Sequence, residues 1–304
     1  MTHPDDTAPS CAEAPLVSAD WLAGRIGDPD LVILDASIMR ETGADGRGTY
    51  RSGAAHFRQE GHVPGARFAD LFDDFSDPAA RFPFTRPDTS RLDATARKLG
   101  LHANSRIVVY DALTGAWAAR VWWILRVHGH RHVAVLDGGL AEWCRQGAPL
   151  EYGAPADPGT GTWVAAAALR QGFASLAEMV DIVEGRRAAS VVCALSEADF
   201  SGAGSTDPRR GHIPGSRNLP YRSLLDRHGR FDPASIRRKV ARLDLKRDED
   251  IVLYCGGGIN AAGLALALEQ DGFQRLSIFD GSLAEWRADP ALPLETGEDP
   301  ATAP

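Results

Sequence analysis

Four short segments of this chain occur twice, in the same order, and that repetition constrains the fold more than any other feature of the sequence. LVILDAS (31–37) matches SVVCALS (190–196), and GHVPGAR (61–67) matches GHIPGSR (211–217). RIVVYD (106–111) matches DIVLYC (250–255), and LDGGLAEW (136–143) matches FDGSLAEW (279–286). Ordered matches with near-equal spacing mark two copies of one structural unit. Within each copy, short β-branched runs alternate with longer amphipathic stretches, and 115–128 and 258–271 read as helices that follow strands. Strand–helix alternation of this kind indicates parallel βαβ units with helices covering both sheet faces. The expected fold is α/β, with two domains over 16–150 and 166–290, each a parallel sheet flanked by helices. EYGAPADPGTGTW, rich in Gly and Pro and without periodicity, is the expected linker. The tail after about residue 288 is expected to be loosely attached.

Composition narrows the function. The 33 basic and 41 acidic residues give a net charge of −8, which argues against a general nucleic-acid surface but leaves room for a local cationic pocket. The four cysteines, Cys11, Cys144, Cys193 and Cys255, form no CxxC pair, and no Cys/His cluster has zinc-ligand spacing. The start, MTHPDDTAPSCAEAP, has no apolar core of signal-peptide length, and no apolar run reaches membrane-spanning length. A cytoplasmic monomer is expected, with no membrane or nucleic-acid partner and no bound metal.

The segment IVLYCGGGINAAGLALAL (251–268) holds the most chemistry. An apolar strand ends at Tyr254, Cys255 follows, then Gly256, Gly257 and Gly258, then a helical run containing Ile259 and Asn260. In a parallel α/β sheet this places the thiol at the carboxyl edge of a strand, where such folds bind ligands. Glycines let the turn wind tightly around the sulfur and aim backbone N–H groups at it. The helix start adds the positive end of its dipole. Both effects favour the thiolate, the nucleophilic form. A buried cysteine beside a glycine hinge is the bland alternative; three glycines between strand and helix argue for function. The first copy carries Asp111 at this position, followed by ALTG, so it lacks the nucleophile.

With GHVPGA and GHIPGS, RVWWILRVHGH, LDGGLAEW and FDGSLAEW, and CGGGIN, residues 16–290 resemble the tandem rhodanese family of thiosulfate and 3-mercaptopyruvate sulfurtransferases. The resemblance implies a rhodanese fold in both halves, an inactive amino-terminal domain and a catalytic Cys255. It also implies a persulfide intermediate with no metal or organic cofactor. The partners it implies are a small anionic sulfur donor and a cyanide or thiol acceptor, including a protein thiol. Residues 256–260 match the family's substrate-binding loop, and Arg209 matches an arginine used near substrate. The chain also departs from the family. The loop lacks the hydroxyl of CGSGVT-type enzymes and the cations of thiosulfate enzymes. Asp199 stands where an arginine is common, and Cys193 where an aspartate is usual.

Arg209, with Arg210 beside it, is therefore the expected anchor for an anionic donor, its planar fork suited to carboxylate or sulfonate oxygens. His62 is a further candidate, whereas His212 reads as a structural turn residue. Trp143 and Trp286 read as core, Asp137 and Asp280 as turn or cap residues, and Cys193 as a small buried apolar residue. A phosphatase of related fold would need an arginine six residues after the cysteine, where this chain has Ala261. A non-catalytic sulfur carrier or binding protein is the remaining alternative.

Overall fold

The protein is described from a computed structural model covering residues 14–42, 48–168, 172–204 and 207–299. Cys11 lies outside these residues. The chain forms two compact units, one of residues up to Asp74 with Thr89–Ala166, the other of Phe75–Asp88 with Ala167 onward. Residues 75–88, inside the first copy in sequence, thus belong to the carboxyl-terminal unit.

The amino-terminal unit contains strands β1 (Leu16–Val17), β2 (Leu31–Asp35), β3 (Ile38–Thr42), β4 (Gly48–Ser52), β5 (Arg67–Phe68), β6 (Arg106–Tyr110) and β7 (Val133–Leu136). Its helices are α1 (Ala19–Ala23), α2 (Ala54–Gln59), α3 (Thr89–Lys98), α4 (Ala116–Val127) and α5 (Gly139–Arg145). A parallel sheet runs β1-β7-β6-β2-β5, and β3 and β4 form a separate antiparallel hairpin. The carboxyl-terminal unit contains β8 (Phe173–Ala174), β9 (Ser190–Cys193), β10 (Arg217–Asn218), β11 (Ile251–Tyr254) and β12 (Leu276–Phe279). Its helices are α6 (Leu176–Val183), α7 (Glu197–Ser201), α8 (Pro233–Val240), α9 (Ile259–Gln270) and α10 (Ser282–Ala288). Its sheet runs β10-β9-β11-β12-β8, all parallel, which repeats the first sheet strand for strand. Among the described residues no helix is long and apolar enough to cross a membrane.

The central strands β6 and β11 are buried along nearly their whole length, as strands covered on both faces must be. Each feeds a helix through a glycine in the left-handed region, Gly115 at φ 76° before α4 and Gly258 at φ 83° before α9. A side chain is disfavoured there, so glycine sets both turns. Trp143 and Trp286 are fully buried, and their indole N–H groups donate to the carbonyls of Pro149 (2.8 Å) and Pro293 (2.7 Å).

The register corrects the sequence match by one residue. Asp35 pairs with Tyr110 as Cys193 pairs with Tyr254, and the Ala36 and Ala194 N–H groups donate to those tyrosines' carbonyls, each at 2.8 Å. Cys193 is therefore the counterpart of Asp35. The structure also shows a fifth repeat, Pro149-Leu150-Glu151 and Pro293-Leu294-Glu295. Glu151 exchanges both backbone hydrogen bonds with His62, and Glu295 does the same with His212. The tail is thus pinned through Glu295, contrary to the loose attachment expected after residue 288.

Candidate active site

Cys255 follows the last residue of β11 and is only 3% exposed. Its carbonyl accepts the Leu283 N–H at 3.0 Å, and its own N–H donates to the Ser282 hydroxyl at 3.2 Å. Ser282 in turn donates to the Phe279 carbonyl (2.9 Å) while holding φ at 49°, a left-handed conformation that costs a serine about 1–3 kcal/mol. The start of α10 therefore clamps Cys255 from one side.

The glycines after Cys255 have separate roles. Gly258 needs its left-handed φ, and α9 begins there with no side chain capping it. A Cβ on Gly256 would meet open space, and one on Gly257 would come no closer than 3.8 Å to the Pro83 carbonyl oxygen. The first two glycines are thus not forced by crowding. They leave the approach to a buried thiol open, and the uncapped N–H groups at the start of α9 remain for an anion.

The amino-terminal unit shows what such a turn binds. There the Asp111 carboxylate accepts N–H groups from Leu113 (2.8 Å), Thr114 (2.9 Å), Gly115 (3.0 Å) and Ala118 (2.9 Å). Four donors converge on one anion at the start of α4. The loop is one residue longer than its counterpart, which accounts for the differing spacings of the two copies.

The sequence pattern of the rhodanese-like domain matches this chain twice, over residues 18–146 and 177–289. The chain belongs to the rhodanese family. The 3-mercaptopyruvate sulfurtransferase of Homo sapiens is 35% identical over 89% of this chain and 91% of its own length. The mitochondrial thiosulfate/3-mercaptopyruvate sulfurtransferase 1 of Arabidopsis thaliana is 33% identical over 93% and 79%. The crystal structure of SseA from Escherichia coli superposes with a TM-score of 0.77 at 30% identity, covering 88% of this chain and 98% of that one. This rhodanese-family chain is accordingly an enzyme of the sulfurtransferase type.

Gly256, Gly257, Gly258, Ile259 and Asn260 form the turn and first helical residues beyond Cys255 in this rhodanese-family site. Arg209 is held by the tail of the carboxyl-terminal unit. Its guanidinium donates to the carbonyls of Pro290 (2.9 Å) and Leu292 (2.8 Å), beyond the carboxyl end of α10. The opposite end of that helix touches Cys255, and seven residues span roughly 10 Å. Arg209 thus straps the tail, and both terminal nitrogens of its fork are engaged. Arg210 is exposed.

His62 and His212 have matching roles. Each places Nδ1 2.8 Å from a backbone carbonyl, that of Phe57 or Phe200, and each ring stacks on the same phenylalanine. Both hold turns, and His212 Nε2 also lies 3.8 Å from the Glu295 carboxylate, whereas His62 Nε2 is buried without a partner among the described residues. Asp199 sits in the first turn of α7, where its N–H donates to Ser196 and its carboxylate accepts the Ser196 hydroxyl. Helix capping explains an acidic residue there. Cys193 is fully buried, and burial pushes its thiol up to about 12, so it is a protonated packing residue.

Two features escaped the sequence reading. One is Ser282, whose signal was the change from DGG to DGS between copies at the point where Asp gives way to Cys. The other is the 81–86 segment. Pro83 approaches Gly257, and the Arg86 N–H donates to the Asp280 carboxylate at 3.0 Å, which gives Asp280 a partner beyond its own turn.

Proposed function

We propose that this protein moves sulfane sulfur from 3-mercaptopyruvate or thiosulfate to a thiol or cyanide through a persulfide on Cys255. The observation that supports the reading is the matched pair of turns, one closed on the Asp111 carboxylate and the other carrying Cys255 at the same position before a helix start with no side-chain cap.

With 3-mercaptopyruvate, the Cys255 thiolate attacks the donor's sulfur. The S–S bond forms as the donor's C–S bond breaks, and the electron pair and the thiol proton pass to carbon, giving pyruvate. With thiosulfate, sulfite leaves with the pair. The acceptor then takes the outer sulfur, and the pair returns to Cys255. Splitting the transfer into two steps is ordinary covalent catalysis. By analogy with the N–H groups that hold the Asp111 carboxylate, those of residues 257–261 stabilise negative charge on sulfur in both. The relatives named for 3-mercaptopyruvate support that donor, and the absence of cations from the loop weighs against thiosulfate.

Intact-mass spectrometry after incubation with each donor tests the reading. One added sulfur, about 32 Da and removable by cyanide, is expected on the wild type with stoichiometric pyruvate or sulfite. The same adduct on Cys255→Ser refutes it.

A further inference from the structure

The cations of this chain are unevenly placed. Residues 227–247 carry eight Lys and Arg against two Asp, in a chain of 33 basic and 41 acidic residues, so the remainder is more acidic than the total of −8. The centre of that segment is α8 followed by a 3-10 turn, Ala241–Leu243, in the carboxyl-terminal unit. Ser235, Ile236, Val240 and Leu243 are buried, whereas Ala234, Arg237, Arg238, Ala241 and Arg242 are exposed. Spacings of three and four put those five on one helical face.

The charge on this face is uncompensated. Arg230 and Arg247, to either side in sequence, are paired with Asp226 (2.9 Å) and Asp271 (3.2 Å). Among the described residues Arg237, Arg238 and Arg242 have no carboxylate partner. A helix dipole favours a cation or two in the last turn. Three arginines exceed that, and Arg238 and Arg242, four residues apart, repel each other. Stability alone would place a carboxylate at one of these positions.

Beside the face lies a cleft of about 340 Å³. Arg237 lines it together with the apolar Val240, Leu245 and Phe273, while Arg247 and Asp271 pair within it and Asp244 adds a negative charge. Asp244 disfavours a small free anion there, and the apolar lining suits an apolar side chain.

We infer that this face docks an acidic protein segment, whose carboxylates meet Arg237, Arg238 and Arg242 and one of whose apolar side chains enters the cleft. The exposed run from Ala234 to Arg242 spans only about 12 Å. A nucleic-acid strand or an anionic membrane would continue past it onto a chain that is net acidic and be repelled there, whereas a protein segment confines its carboxylates to a patch of this size. Nor, among the described residues, does an exposed aromatic side chain accompany the arginines to stack on bases. The inference does not depend on the persulfide reading.

The test is fluorescence anisotropy of a labelled peptide of about 20 residues, rich in Glu with Leu at helical spacing, titrated with the full-length protein. Arg237→Ala, Arg238→Ala and Arg242→Ala combined are expected to weaken binding about tenfold, the joint scale of three exposed ion pairs. Gln at the same three positions should do the same. Removing three exposed cations of the amino-terminal unit, by Arg58→Ala, Arg97→Ala and Arg131→Ala, should change binding by no more than about twofold. Tm and sulfur loading at Cys255 are expected to stay at wild-type values in both triple variants. Equal losses in the two triple variants reduce the effect to net charge and overturn the inference. So do failure of the wild type to bind the peptide at low salt, and unchanged affinity when Gln replaces Leu in the peptide. Tighter binding of a single-stranded RNA of equal charge, or of phosphatidylserine vesicles, overturns it in favour of a nucleic-acid or membrane surface.

Discussion

Asp111 and Cys255 occupy one position of a duplicated turn: the carbonyl of each accepts the N–H of the leucine that opens the following domain motif, Leu140 at 3.1 Å and Leu283 at 3.0 Å. The same backbone therefore presents a carboxylate in one unit and a thiol in the other. In the first, the side chain closes the helix start with four N–H bonds. In the second, no side chain caps α9. The substitution at this position, with the shorter glycine loop, leaves the start of α9 without the side-chain cap that α4 has.

Asp111→Ala tests the scaffold half of that statement. The substitution strands the N–H groups at the start of α4, and loss of a multiply bonded cap is expected to cost about 2–3 kcal/mol in urea unfolding. Sulfur loading at Cys255 should survive in the molecules that remain folded. A loss below about 0.5 kcal/mol, the scale of a surface change, contradicts the role assigned to the carboxylate.

Much of this was legible in the sequence because glycine punctuates it. Helices expected over 115–128 and 258–271 form over Ala116–Val127 and Ile259–Gln270, since Gly115 and Gly258 fix where each can begin. Cys255 stood out for the same reason, a thiol between a strand and a run of glycines. The one-residue slip between β2 and β9 arose because strands buried on both faces are apolar throughout, so hydrophobicity does not fix their alignment. The Pro-Leu-Glu repeat is too short to notice without its partner, the GHxPG turn. The tail contacts of Arg209 were not legible because its acceptors are main-chain carbonyls more than 80 residues away, which no side-chain pattern encodes. The 81–86 segment has no periodicity, and its contacts at Phe173 and Asp280 are equally remote.

Cys193 predicts a pH dependence. Its thiol sits at about 12 in the folded chain against an ordinary 9.0. The folded state keeps the proton that the unfolded state releases, so this contribution to stability is whole below pH 9 and is lost between pH 9 and 12. At pH 10.5 the loss should be about 2 kcal/mol, from ~1.4 kcal/mol per pH unit. Unfolding under reducing conditions at pH 8 and 10.5 should therefore show a steeper decline for the wild type than for Cys193→Ala. Parallel declines contradict the buried, protonated assignment.

Arg209→Ala is expected to act on stability. Removing two bonds to the carbonyls of residues 290 and 292 frees the tail from α10, at a cost of about 1–3 kcal/mol. The KM for an anionic donor should stay within about threefold of wild type. A KM rise of tenfold or more at unchanged Tm restores Arg209 as a donor anchor, since loss of uniform binding raises KM alone.

Ser282 offers the sharpest separation of structure from chemistry. Its counterpart Gly139 adopts nearly the same backbone, φ 57° against 49°, and a Cβ on Gly139 would collide with the Asp111 carbonyl oxygen. The amino-terminal unit thus uses glycine, whereas the carboxyl-terminal unit keeps a strained serine whose hydroxyl receives the Cys255 N–H. Ser282→Gly removes both the strain and the acceptor. Relief of a left-handed side chain, about 1 kcal/mol, should roughly offset the unpaired N–H, leaving Tm near wild type. Persulfide formation, however, should slow about tenfold, because the Cys255 backbone is no longer fixed against the start of α10. Ser282→Ala retains the strain without the hydroxyl, so both Tm and the rate should fall. If Ser282→Gly loads sulfur as fast as wild type, the serine is a packing residue, and the clamp on Cys255 is the Leu283 hydrogen bond alone.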